Sequence, residues 1–127
     1  MSNAPTVLLG MVPLVRAVVR SATTDTATAV TADDSGTLFV NLSTSAHTYT
    51  LPTVALSAGK TWLFLNAETT QTLAVTGGTA DLIMGGADGN LADTVTCGAQ
   101  AGDWCLVICD GTYYYLLAGQ GTWTASG

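Results

Sequence analysis

The stretch that most constrains this chain lies near its C-terminus, from Gly102 to Gly119, and reads GDWCLVICDGTYYYLLAG. Two runs of β-branched and aromatic residues flank Asp110-Gly111, a pair suited to the positive φ angles of a tight hairpin turn. Trp104, Leu106 and Ile108 share one face of the first strand, and Cys105, Val107 and Cys109 share the other. After the turn, Tyr113, Tyr115 and Leu117 alternate with Tyr114 and Leu116. Both faces are apolar. A hairpin of this kind needs cover on each side, from its own chain or from another copy.

The rest of the chain repeats the theme of short strands and turns. Expected strands cover Ala29–Thr31, Thr37–Leu42, His47–Pro52, Lys60–Asn66, Gln71–Thr76, Asp81–Met84 and Thr94–Cys97. Between them stand turn formers such as Asp33-Asp34-Ser35-Gly36, Ser57-Ala58-Gly59 and Gly85–Asn90. Turn signals every 8–12 residues, no amphipathic helix pattern after Arg20 and no fixed repeat predict a sandwich or barrel. The expected fold is all-β: a single antiparallel β-sandwich or barrel of jelly-roll type. Residues 1–22 are read as an N-terminal arm, 23–119 as the β domain and 120–127 as a Gly/Thr/Ser tail with Trp123 as its late aromatic.

Composition sharpens this. Hydrophobic residues make up 48% of the 127 and charged ones 9%, against about 25% charged in ordinary globular domains. Thr is the commonest residue, while Lys, Glu and Arg are scarce, which favours strands over helices. So few charges leave a lone monomer poorly protected from association, and an assembly of copies is expected. A net charge of −6 with three basic residues argues against nucleic acid as a partner, because phosphate contacts need clustered Lys and Arg.

The first twenty residues carry Val7, Leu8, Leu9, Met11, Val12, Leu14, Val15 and Val18, with Arg16 and Arg20 among or after them. The run is too short to span a bilayer, and Pro13 and Arg16 interrupt it. No basic residue precedes it, so it makes a poor signal peptide. An extended apolar arm that docks on a partner is the preferred reading. A short helix opened by Pro13, or simply a first strand, are the others.

No feature points to catalysis. His47 is the only histidine and is expected at a surface or cross-strand position, with no nucleophile elbow near it. Gly85–Asp93 looks like a calcium turn but lacks the spacing and the repeats of one. Glu68 is the only glutamate, and Asp110, Asp33 and Asp34 are read as turn formers. No cofactor or metal motif is present in the sequence. Cys97, Cys105 and Cys109 are expected as buried thiols, with a Cys97–Cys105 bridge as the alternative. Phe39, Trp62, Phe64 and Trp104 are expected in the core. Tyr113, Tyr114 and Tyr115 are adjacent and cannot all face inward, so they and Trp123 are candidates for a subunit interface or a ligand.

The order of these elements resembles a β-rich domain of tailed-bacteriophage structural proteins: head-decoration proteins, head fibres and tail-fibre modules. The residues that carry it are DSGTLFVN, YTLP, GKTWLFLN, TLAVT, IMGG and the hairpin from Gly-Asp-Trp through Asp-Gly-Thr-Tyr-Tyr-Tyr-Leu, about two-thirds of the chain. Cys105 and Cys109 stand where members of that group usually carry Val, Thr or Ser. The resemblance implies a homotrimeric virion protein. The small size and the apolar arm favour a decoration (cement) protein on the phage head surface, with itself and the major capsid protein as partners. The alternative it leaves open is a fibre module that binds a host receptor or surface glycan.

Overall fold

Alternation and turn chemistry divide the chain into short strands, and the computed structural model describes them over residues 19–22, 26–77, 82–85 and 91–126. In chain order they are β1 (Val19–Ala22), β2 (Ala27–Ala29), β3 (Leu38–Asn41), β4 (His47–Thr50), β5 (Thr61–Asn66) and β6 (Leu73–Thr76). Then follow β7 (Leu82–Gly85), β8 (Leu91–Ala92), β9 (Thr94–Cys97), β10 (Trp104–Cys109), β11 (Tyr114–Gln120) and β12 (Trp123–Ser126). They form two sheets, ordered β1-β3-β5-β10-β11-β7-β8 and β12-β9-β6-β4-β2. The fold is an all-β sandwich.

The pairing is mixed, which corrects the antiparallel expectation. β1, β3 and β5 run parallel in one sheet, and β2, β4 and β6 run parallel in the other. The first half of the chain therefore coils, visiting the two sheets in turn. Only the second half contains a hairpin of long strands, β10–β11, with β10 also antiparallel to β5.

Two asparagines explain why the chain crosses over instead of folding back. Asn41 and Asn66 end β3 and β5 in register and are both buried. Asn41 Oδ1 accepts the Ser43 N–H at 3.0 Å, and Asn66 Oδ1 accepts the Glu68 N–H at 3.3 Å. Each side chain thus bonds backbone two residues on and bends the chain out of its sheet. The two corners stack, because Asn41 Nδ2 donates to Asn66 Oδ1 at 3.1 Å. Asn66 Nδ2 also donates to the Gln71 carbonyl at 2.9 Å. Ala22 occupies the equivalent register position on β1, so the ladder stops there.

Between the sheets, Phe39 stacks on its register partner Phe64 with centroids 5.4 Å apart and planes at 14°. Tyr49 from the other sheet tilts against both, at 5.4 and 5.1 Å. Trp62, Leu73, Val75, Val95, Val107, Tyr114 and Leu116 complete a core of fully buried side chains. Each contributes on the order of 1.5–3 kcal/mol by leaving water.

Both ends of the expected β domain extend further than read. Val19–Ala22, the end of the expected arm, pairs with β3, and the expected tail contains β12, paired antiparallel with β9. The hairpin loop also differs from a two-residue turn. It spans Asp110 to Tyr113, with Gly111 alone at positive φ (95°). Asp110 Oδ1 accepts the N–H groups of Thr112 and Tyr113, both at 2.8 Å. That side-chain cap makes a longer loop as well satisfied as a tight one.

Candidate interaction surface

Each strand of a sandwich has an inward and an outward side, and the outward sides of the two sheets differ in chemistry. In β10 the buried set is Cys105, Val107 and Cys109, so Trp104, Leu106 and Ile108 point outward. Register aligns them with neighbours into rows. One row reads Leu38, Leu63, Leu106 and Leu117 across β3, β5, β10 and β11. Beside it lie Val40, Leu65 and Trp104, and on the other side Thr61, Ile108 and Tyr115. No Asp, Glu, Lys, Arg or His stands on the outward side of these four strands.

Leu117 is 46% exposed and Trp104 40%. Leu38, Leu63, Leu65 and Trp104 line a hollow of about 290 Å³. The indole of Trp104 packs over Gly119, where a Cβ would run into the ring. Glycine is therefore what lets this large side chain lie down on the sheet. At one end of the face, Tyr115 donates to Asp110 Oδ2 at 2.8 Å. The N–H groups of Tyr113 and Thr112, and then this hydroxyl, hold the Asp110 carboxyl below its ordinary value; the same bond pushes the Tyr115 phenol up.

The outward side of the five-stranded sheet is small and hydroxylated. Its register rows read Ala27, Thr48, Ala74, Thr96, Thr124 and Ala29, Thr50, Thr76, Thr94, Ser126. Thr94 Oγ1 donates to Thr76 Oγ1 at 3.0 Å, and Thr76 Oγ1 to the Asp93 carbonyl at 3.0 Å. This face presents hydroxyls suited to water.

The residues singled out from sequence fall in four places. Val7, Leu8, Leu9, Met11, Val12, Leu14, Val15, Arg16 and Val18 lie outside the described residues, as does most of the Gly85–Asp93 turn; Arg20 sits in β1 opposite Phe39. Tyr113, 39% exposed, and half-buried Tyr115 stand at the end of the apolar face. Tyr114 and Trp123 are buried instead. Tyr114 takes the inward side of the alternation and donates to the Pro52 carbonyl and to Ser57 Oγ. Trp123 faces inward from β12, with Nε1 donating to the Gln120 carbonyl at 3.1 Å. Neither offers surface from a single chain.

One further expectation changes, and two hold, His47 in its cross-strand form and the cysteines as buried thiols. Trp104 is on the surface, not in the core, because the cysteine side of β10 is the smaller one and fits between the large aromatics Phe64, Trp62 and Tyr114 of its neighbouring strands. His47 is buried on Tyr49, with centroids 4.6 Å apart and Nε2 2.7 Å from Thr28 Oγ1 on the neighbouring strand. Cys97, Cys105 and Cys109 are free and buried, and Cys97 and Cys105 belong to different sheets. Burial pushes all three thiols up, Cys105 furthest.

The leucine row is what sequence reading missed. Its members were visible as strand residues, but only the register places them side by side. No protein-family model matches this chain, and no curated protein sequence is similar to it.

Proposed function

We propose that this chain is a structural protein of a tailed-phage virion, a decoration protein that binds the outer head surface at capsomer junctions as a homotrimer. The observation that carries the reading is the uncharged, leucine-rich outward face of β3, β5, β10 and β11. A surface of this kind on a small, charge-poor domain suits permanent burial in an assembly. Copies associate through their β domains, and residues 1–18 reach from β1 onto neighbouring capsid subunits. The apolar side chains from Val7 to Val18 supply contact area there, at roughly 25 cal/mol per Å². The added contacts brace the shell against the pressure of the packaged DNA.

The test is binding to heads of the source particle that lack this protein. The full chain is expected to bind to saturation and raise the temperature at which the heads rupture. The double variant Leu8→Asp, Leu14→Asp is expected to keep its circular dichroism spectrum and its oligomeric state while losing head binding. Absence of binding by the full chain, or unchanged binding by the variant, contradicts the proposal. The fibre-module alternative keeps one supporting observation, the exposed Tyr113 beside Tyr115 at one end of the sandwich. Binding to a surface-glycan array in place of heads is the result that favours it.

A further inference from the structure

We infer that the outward face of the seven-stranded sheet is the surface on which a second copy of this chain docks. This deepens the self-assembly part of the proposed function and rests on it, whereas head binding is a separate step.

The first argument for this occupant is charge. The chain carries −6, so contacts between copies through acidic loops such as Asp33-Asp34 would set like charges together. The outward side of β3, β5, β10 and β11 holds no ionisable side chain except the phenol of Tyr115, which is already engaged by Asp110. Copies can therefore meet there without burying an unpaired ion, which is the costliest element of a poor interface. A charged partner would gain nothing from this face.

The second argument is shape. Leu117 projects from β11 at 46% exposure, while the hollow lined by Leu38, Leu63, Leu65 and Trp104 lies across β10 from it. Knob and hollow are both apolar and both belong to one face. The Leu117 side of one copy can thus enter the hollow side of the next. A contact between two different halves of one face is heterologous, the kind that forms a ring of copies when the rotation from one copy to the next closes.

The third argument is area. Four strands ~4.8 Å apart and three rows ~6.8 Å apart give a footprint of roughly 400 Å². Side chains standing on it expose more than their footprint, so covering the face removes on the order of 500 Å² from each copy, shared between its two neighbours, which puts each contact at the weak end of interface sizes. Replacing Leu117 should therefore be felt strongly, since little else compensates.

Sedimentation velocity of the full chain across about 1–100 µM, the range where such small interfaces dissociate, tests this. The expected result is an oligomer for the wild type and for Thr124→Glu on the opposite face, and a folded monomer for Leu117→Glu. If Leu117→Glu fails to fold, the milder Leu117→Thr should weaken association at least about tenfold. A wild type that stays monomeric overturns the inference and the self-assembly part of the proposed function together. That outcome leaves the chain's own residues 7–18, or a different protein, as the occupant. An oligomer unaffected by either Leu117 variant, or dispersed equally by Thr124→Glu, overturns the surface assignment alone. An oligomer behaving as expected that never binds heads overturns the decoration role and leaves this surface standing.

Discussion

The two outward faces of this sandwich are built on the same strand geometry and over one shared core, yet they differ completely in side chains. One carries the row Leu38, Leu63, Leu106, Leu117 with Trp104 beside it; the other carries Thr and Ala, ending in Thr124 and Ser126. Folding alone does not require the difference. The inward residues of both sheets are apolar, and they supply the core whichever side chains stand outside. In the proposed assembly the outward residues match what surrounds the folded chain: water over the threonines, and another copy over the leucines.

The largest test of that division sets the core against the outer face. Phe64→Ala, inward on β5, should cost about 3–5 kcal/mol in urea unfolding, as large aromatic deletions do. If the outward leucines support the fold equally, the contrast drawn in the next variants disappears. Making the polar face resemble the apolar one should come next in size. The triple variant Thr48→Leu, Thr96→Leu, Thr124→Leu creates a second leucine row and is expected to convert a defined oligomer into an open, aggregating series seen by light scattering. Gly119→Ala should cost about 1–2 kcal/mol, because the Trp104 indole must leave its bed. A shift of tryptophan emission to longer wavelength checks the displacement. Leu117→Thr should change unfolding stability of the dissociated chain by no more than about 0.5 kcal/mol, as expected for an exposed site.

The smallest expected effect is that of pH. Among the described residues no carboxylate, histidine or amine stands on the outward side of β3, β5, β10 and β11, so association should be flat between about pH 5 and 8. The Asp110 carboxyl lies below its unfolded value, so its contribution is present above the ordinary carboxyl range and fades as pH falls through its lower folded value. The buried thiols lie above theirs. Their contribution is complete below the unfolded thiol value of about 8.5 and is lost as pH rises from there through the folded values. Thermal unfolding from pH 3 to 10 reads both limits.

Much of this was legible in the chain before its structure. Strand positions followed from alternation, and β9 at Thr94–Cys97 and the β10 strand begin and end where turn residues place them. The parallel coil was not legible. Val19, Leu38 and Leu63 stand in register, so successive turns take 19 and 25 residues, and no constant period marks them. The asparagines that make the corners look like ordinary strand-end residues until register stacks them. For the candidate surface, alternation separated Trp104 from Cys105, but both sides of β10 are apolar. Which one turned inward depended on the fit beside Trp62, Phe64 and Tyr114, its register partners on β5 and β11. For the same reason Tyr114 and Trp123 looked available in sequence and are buried in the fold.

Trp104 offers the most direct measurement of whether the leucine face is covered by another copy. The chain has three tryptophans; Trp62 and Trp123 are buried, at 0% and 5% exposure, and Trp104 is 40% exposed in the single chain. Acrylamide quenching therefore reports on Trp104 almost alone. The wild-type oligomer is expected to resist quenching, and monomeric Leu117→Glu to be quenched readily with its circular dichroism unchanged. A wild-type oligomer whose tryptophan emission is quenched as readily as that of the variant would contradict the account, because the face would then lie open to solvent in the assembly.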